Sequence, residues 1–128
     1  MGTGTEIGRV RGLGAAKSGP HHWWMQRLTA GSNFLLIAWL LVSLGRLPAY
    51  DHATVTAWLA SPLAAVPMAL LVASVFWHFR LGLQVVIEDY QHDETRVVAL
   101  VLLNFYAVAM TAFAVFAILK IAFTGAAT

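Results

Sequence analysis

Three apolar stretches constrain this chain more than any other feature of its sequence. They run over about 28–47 (LTAGSNFLLIAWLLVSLGRL), 63–87 and 97–123, with only short polar segments between them. A helix needs about 20 predominantly apolar residues to cross the hydrocarbon core of a bilayer. Backbone N–H and C=O groups find no water there, so a spanning segment has to satisfy them internally, as a helix does. Charged residues make up 11% of the 128 residues and hydrophobic ones 59%, where a soluble domain carries about 25% charged residues. The expected fold is therefore all-α: an integral membrane protein with three transmembrane helices.

Local punctuation divides the chain further. Residues 1–20 read as an N-terminal arm stopped by Gly19-Pro20, and 21–128 as the three-helix domain. A first helix is expected from His21 or His22 to about Leu47, followed by a polar loop over 48–56 (PAYDHATVT). A second helix is expected from about Ala57 to Glu88, with Pro62 in its first turn and Pro67 placed to kink it. Residues 89–95 (DYQHDET) read as the second loop, and the third helix as Arg96 to Phe123. The arm lacks the apolar core of a secretory signal. It is also poorer in Arg and Ser than a transit peptide, which points to a bacterial inner membrane. Arg9, Arg11, Lys17 and Arg27 cluster before the first span, whereas the first loop is edged only by Arg46. Positive charge stays on the cytoplasmic side, so the N-terminus is expected in the cytoplasm and the C-terminus in the periplasm. The chain has no cysteine, which excludes disulfides, thiolate zinc sites and iron–sulfur ligation by its own residues. A net charge of +2 without a basic, aromatic-rich patch excludes a nucleic-acid partner and leaves lipid as the surrounding medium.

The stretch VFWHFRLGLQVVIEDYQHDE, residues 75–94, places ionisable side chains inside the second span. An ionised group at mid-membrane costs about 2.5–3.5 kcal/mol on insertion scales, so such residues are candidates for function. At about 100° per residue, His78, Gly82, Val85 and Asp89 share one stripe, with Ser74 beside it. An imidazole above a glycine notch suits axial ligation of a haem iron, the notch admitting a flat group. A packing histidine bonded to a neighbouring carbonyl suits the same spacing. No other span offers a histidine at matching depth, so a haem here needs a second ligand from a partner subunit. Arg80 points about 160° away from His78, free either to snorkel to the surface or to meet an acidic group. Tyr90 reads either as an interfacial anchor or as a phenol donating to a buried acceptor, with Asp89 beside it. At the entry to the first span, His21, His22, Trp23 and Trp24 precede Arg27. This is an aromatic belt with a positive-inside arginine, at the depth where haem propionates would emerge.

Two segments carry a family resemblance: His21-His22-Trp23 through Arg27-Leu28-Thr29-Ala30, and H-x3-G-x6-D-Y from His78 through Gly82 to Asp89-Tyr90. With the three-span layout, they resemble the small membrane-anchor (D) subunits of succinate dehydrogenase, respiratory complex II, of the alphaproteobacterial type, over about residues 15–123. The resemblance implies that His78 is an axial ligand of haem b, the other ligand coming from a cytochrome b anchor subunit of the C type. It implies that Tyr90 hydrogen-bonds a carbonyl of ubiquinone with Asp89 next to it. Arg27, with His21 or His22, is implied near the haem propionates. Further implied partners are an iron–sulfur subunit and a flavoprotein subunit. Glu88 departs from the family pattern, which commonly has Thr before the Asp, and Arg80 is unusual against some branches. The competing readings are a haem-free structural or transporter subunit, and the cytochrome b anchor of another quinone-linked enzyme such as fumarate reductase. A transporter would more often show inverted repeats or broken helices, and neither is obvious in the sequence.

Overall fold

The computed structural model describes residues 5–7 and 18–125. The basic residues Arg9, Arg11 and Lys17 of the expected arm lie outside the described residues. In chain order the helices are α1 (Gly19–Gly45), α2 (His52–Leu59), α3 (Pro62–Tyr90) and α4 (Asp93–Thr124). The described residues contain no strand. α1, α3 and α4, of 27, 29 and 32 residues, are long and apolar enough to cross a membrane. At 1.5 Å per residue they extend about 40, 44 and 48 Å, more than the roughly 30 Å of a hydrocarbon core.

α3 is the central element. α1 and α4 each pack against it, with no close backbone approach between α1 and α4 among the described residues. Ser74, His78 and Gly82 of α3 face α1, while Phe76, Phe79 and Arg80 meet Tyr106 and Asn104 of α4. Burial is concentrated along these two seams and involves small side chains, among them Ala64, Ala65 and Ala107. Small residues let helix backbones approach closely where no hydrophobic effect drives association. Leu71, Leu81, Leu103 and Ile118 are buried with them, whereas many other large apolar side chains point outward, Phe34 being 74% and Phe123 86% exposed. Such a surface is tolerable only when lipid or another hydrophobic subunit covers it.

Three boundaries differ from those expected. The first helix already begins at Gly19, so Gly19-Pro20 opens α1 instead of stopping the arm, proline being accepted in a first turn where its missing N–H has no partner to lose. The segment before α3 is not a plain loop running into one long helix. Asp51 is extended (φ −73°, ψ 159°), and its carboxylate accepts from the Thr54 amide at 3.3 Å and the Thr54 hydroxyl at 2.6 Å, which starts α2 at His52. α2 stops at Leu59, and Ser61 turns extended (φ −72°, ψ 133°) ahead of Pro62, the first residue of α3. A proline pushes the preceding residue out of the helical region, so the expected helix from Ala57 to Glu88 is broken there. Apolar residues continue on both sides of the break, which is why the pattern alone runs through it.

The second loop is shorter than its composition suggests, because α3 ends at Tyr90 and α4 begins at Asp93. Asp93 takes a left-handed backbone conformation (φ 52°), which aspartate tolerates better than most residues. The His92 carbonyl then accepts from the Thr95 hydroxyl at 2.7 Å and the Arg96 amide at 3.3 Å.

Candidate functional site

The seam between α1 and α3 is polar where α3 carries its histidine. Thr29 of α1 is buried, with 7% of its surface exposed. Its Oγ1 lies 2.7 Å from the Met25 carbonyl, 3.2 Å from the Gln26 carbonyl and 2.9 Å from His78 Nδ1. A hydroxyl has one proton to donate and two lone pairs with which to accept. With its proton directed to the Met25 carbonyl, the oxygen accepts from Nδ1–H. A neutral imidazole protonated on Nδ1 carries its free lone pair on Nε2. One turn away, Ser74 Oγ donates to the Thr29 carbonyl over a long 3.5 Å.

Towards the Tyr90 end, α1 also covers the glycine of the motif. A Cβ placed on Gly82 would lie 3.6 Å from Gln26 Nε2, so the side chain against the α3 backbone here is that of Gln26. Gln26 Oε1, His22 Nε2 and Asn33 Oδ1 are buried without a hydrogen-bond partner. His22, Gln26, Thr29 and Asn33 recur at intervals of four, three and four residues, the spacing of one helix face. Sequence reasoning does not single out Gln26 or Thr29 as site residues. The signal is that spacing, and it becomes legible only once the structure shows which face of α1 turns towards α3.

The remaining predicted residues gather at one end of the bundle. α1 begins where α3 finishes, because the two run antiparallel with Thr29 level with His78. His21 is exposed and His22 half-buried. Arg27 is exposed, its guanidinium 5.1 Å from the centre of the Trp23 ring. Asp89 and Tyr90 form the exposed last turn of α3, Tyr90 being 76% exposed. About 18 Å of helix rise separates His78 from Tyr90. The structure thus joins His78 and Gly82 to α1 directly. His21, His22, Arg27, Asp89 and Tyr90 share an end of the bundle without hydrogen bonds among themselves. Arg80 lies on the opposite face, where its Nε donates to Asn104 Oδ1 and its guanidinium sits 5.1 Å from the Trp77 ring centre.

The donor set at His78 is that of half a site. Among the described residues no three His, Cys, Asp or Glu side chains converge. What the seam offers is one imidazole nitrogen, with the ring held through the other. A metal-binding histidine almost always donates its second ring N–H in this way, which orients the ring and fixes the tautomer. The residues present would therefore fit a haem iron through this one imidazole, any further protein ligand having to come from another chain.

Fold and site together define a multi-pass helical membrane subunit, built around a central span that carries an interior histidine. Over residues 1–123 the chain matches the family described as the succinate dehydrogenase/fumarate reductase transmembrane subunit, and it belongs to that family. It is 39% identical over 85 residues to the succinate dehydrogenase hydrophobic membrane anchor subunit of Rickettsia bellii (strain RML369-C), covering 66% of this chain and 68% of that one. It is 33% identical over 113 residues to the subunit of the same name from Rickettsia conorii (strain ATCC VR-613 / Malish 7), covering 86% and 90%. The subunit of that name from Paracoccus denitrificans is 27% identical over 111 residues, covering 87% and 86%. No solved structure matches the chain. The resemblance inferred from the two motif segments is borne out, including its alphaproteobacterial character.

Proposed function

We propose that this chain is the hydrophobic membrane anchor of a succinate:ubiquinone oxidoreductase. It shares a haem b with a partner cytochrome b anchor subunit and completes a ubiquinone-reduction pocket at the cytoplasmic end of the bundle. It carries no catalysis alone. Electrons from succinate reach it through flavoprotein and iron–sulfur subunits, which it holds at a bacterial inner membrane. The charge bias before the first span supports a cytoplasmic N-terminus and a periplasmic C-terminus.

The observation that carries this reading is the contact between His78 Nδ1 and Thr29 Oγ1 at 2.9 Å, which leaves Nε2 as the free ligating nitrogen. When bound, the haem supplies a reversible one-electron centre. His78 would hold it from α3. The space over Gly82 is filled by the Gln26 side chain of α1, so the glycine serves the close packing of α1 on α3 beside His78 and not, as its spacing suggested, a notch for a flat group. Arg27, with His21 or His22, would meet the propionates where α1 begins, since a guanidinium binds carboxylates with paired, charge-assisted hydrogen bonds. Tyr90 donates its phenolic proton to a ubiquinone carbonyl and stabilises the negative charge that develops on that oxygen during reduction. Asp89 positions the groups beside it.

The test is a reduced-minus-oxidised visible spectrum of the complex, purified through a tag on this chain, for wild type and His78→Ala. A b-type band in wild type that is lost in His78→Ala, with the partner subunits still co-purifying, is the expected result. A wild-type complex that keeps its partners and has no haem overturns the reading and leaves a haem-free anchor.

A further inference from the structure

We infer that Thr29 is a positioning residue for His78: its hydroxyl accepts the Nδ1–H bond, selects the tautomer with a free Nε2, and sets the electron-richness of the ring towards an iron that Nε2 would hold. This rests on the haem reading above and extends it to a residue on a different helix.

Three observations carry it. First, Thr29 is buried to 7% exposure, and a buried hydroxyl is costly unless it is hydrogen-bonded. Secondly, the 2.7 Å separation from the Met25 carbonyl is that of a made O–H···O bond. With the hydroxyl proton assigned to that bond within α1, the oxygen is left to accept at its 2.9 Å contact with His78 Nδ1. Reversing the tautomer would require Thr29 to give up its bond to Met25 in order to donate to Nδ1. Thirdly, the acceptor is held in advance. A β-branched side chain has few χ1 choices in a helix, and bonding back to the carbonyl of the preceding turn selects among them for threonine. The 3.5 Å contact from Ser74 Oγ to the Thr29 carbonyl ties α1 to α3 again one turn along.

An acceptor on the second ring nitrogen raises the basicity of a ligating imidazole. A more basic ligand favours the oxidised iron and lowers the reduction potential of the haem. Removing the acceptor does the reverse and also loosens the ring.

The experiment compares Thr29→Val and Thr29→Ser in the assembled complex in detergent or nanodiscs. Valine keeps the shape of threonine and removes the oxygen; serine keeps the oxygen. Redox titration of the b-type band reads the midpoint potential, and transfer of haem to excess apomyoglobin reads its retention. The expected result is an upward shift in potential for Thr29→Val and haem loss faster by about 10-fold or more, with Thr29→Ser close to wild type in both. The low-spin electron paramagnetic resonance g-values of the oxidised complex should move in the valine variant and not in the serine variant. If Thr29→Val does not assemble, Thr29→Ala, which adds no bulk, carries the same expectation. Wild-type potential and haem retention in the hydroxyl-free variant overturn the inference, as does a serine variant indistinguishable from valine. Both are separate from failure of the haem reading, which shows as an absence of haem in the wild-type complex.

Discussion

Arg80 illustrates how a single residue is resolved by its neighbours. Its position on α3 leaves open whether it reaches the surface or meets an acid. The structure instead pairs its Nε with the side-chain oxygen of Asn104, whose own Nδ2 donates to the Leu100 carbonyl at 2.6 Å. Both residues line a hollow of 590 Å³ between α3 and α4. Removing only the acceptor strands a guanidinium inside the bundle, whereas removing both partners leaves nothing unpaired. Asn104→Leu should therefore destabilise the purified complex by about 1–3 kcal/mol, and the double variant Arg80→Leu/Asn104→Leu by less. Thermal unfolding of the detergent-solubilised complex checks the order, and a double variant less stable than Asn104→Leu would refute the pairing. Tyr90 makes a different prediction, because it is 76% exposed within this chain and the proposed function assigns its hydroxyl to the quinone. Tyr90→Phe should keep assembly and haem and lose quinone reductase activity. Full activity in that variant, assayed with a short-chain ubiquinone, would remove Tyr90 from the mechanism.

At the scale of the element, the junction between the first two spans depends on one cap and one proline. The Thr54 hydroxyl bond, followed by the Thr54 amide bond, holds the Asp51 carboxyl below the usual carboxylate range. A carboxyl with a lowered value in the folded state stabilises that state fully above the ordinary aspartate range and loses the effect as pH falls through the lowered value. The start of α2 should thus be insensitive to pH near neutrality and should fray only in acid. Amide hydrogen exchange at Thr54 and Val55 reads this directly. Asp51→Ala should accelerate that exchange already at neutral pH, since the cap is then missing at every pH. Exchange that is unchanged in Asp51→Ala would show that the cap does not hold α2. The break after α2 was not legible in the apolar pattern, because Ala60 and Leu63 continue it across Ser61-Pro62. Backbone geometry at the residue before proline decided it.

At the scale of the whole molecule, the orientation of the three spans sets which loop faces each side of the membrane. The absence of native cysteine makes single introduced cysteines clean reporters. A membrane-impermeant thiol reagent applied to intact cells should label Tyr50→Cys, between α1 and α2, and should spare Gln91→Cys, between α3 and α4. The reverse pattern would overturn the cytoplasmic placement of the N-terminus. Among the described residues α1 and α4 both pack on α3, which is therefore the element that holds the bundle together. The three spans, their number and their helical state were determined by sequence alone, because a bilayer accepts only long apolar segments that satisfy their own backbone. The motif residues His78, Gly82, Asp89 and Tyr90 were legible for a related reason: polar groups in such segments are few and their helical spacing is fixed. Only the tertiary structure decided that Thr29 meets His78, that Gln26 covers Gly82 and that Asn104 receives Arg80. Each of these pairs joins different helices. Their contact depends on the rotation and register with which one span packs on the next, and the hydrophobicity pattern of a single span does not encode that.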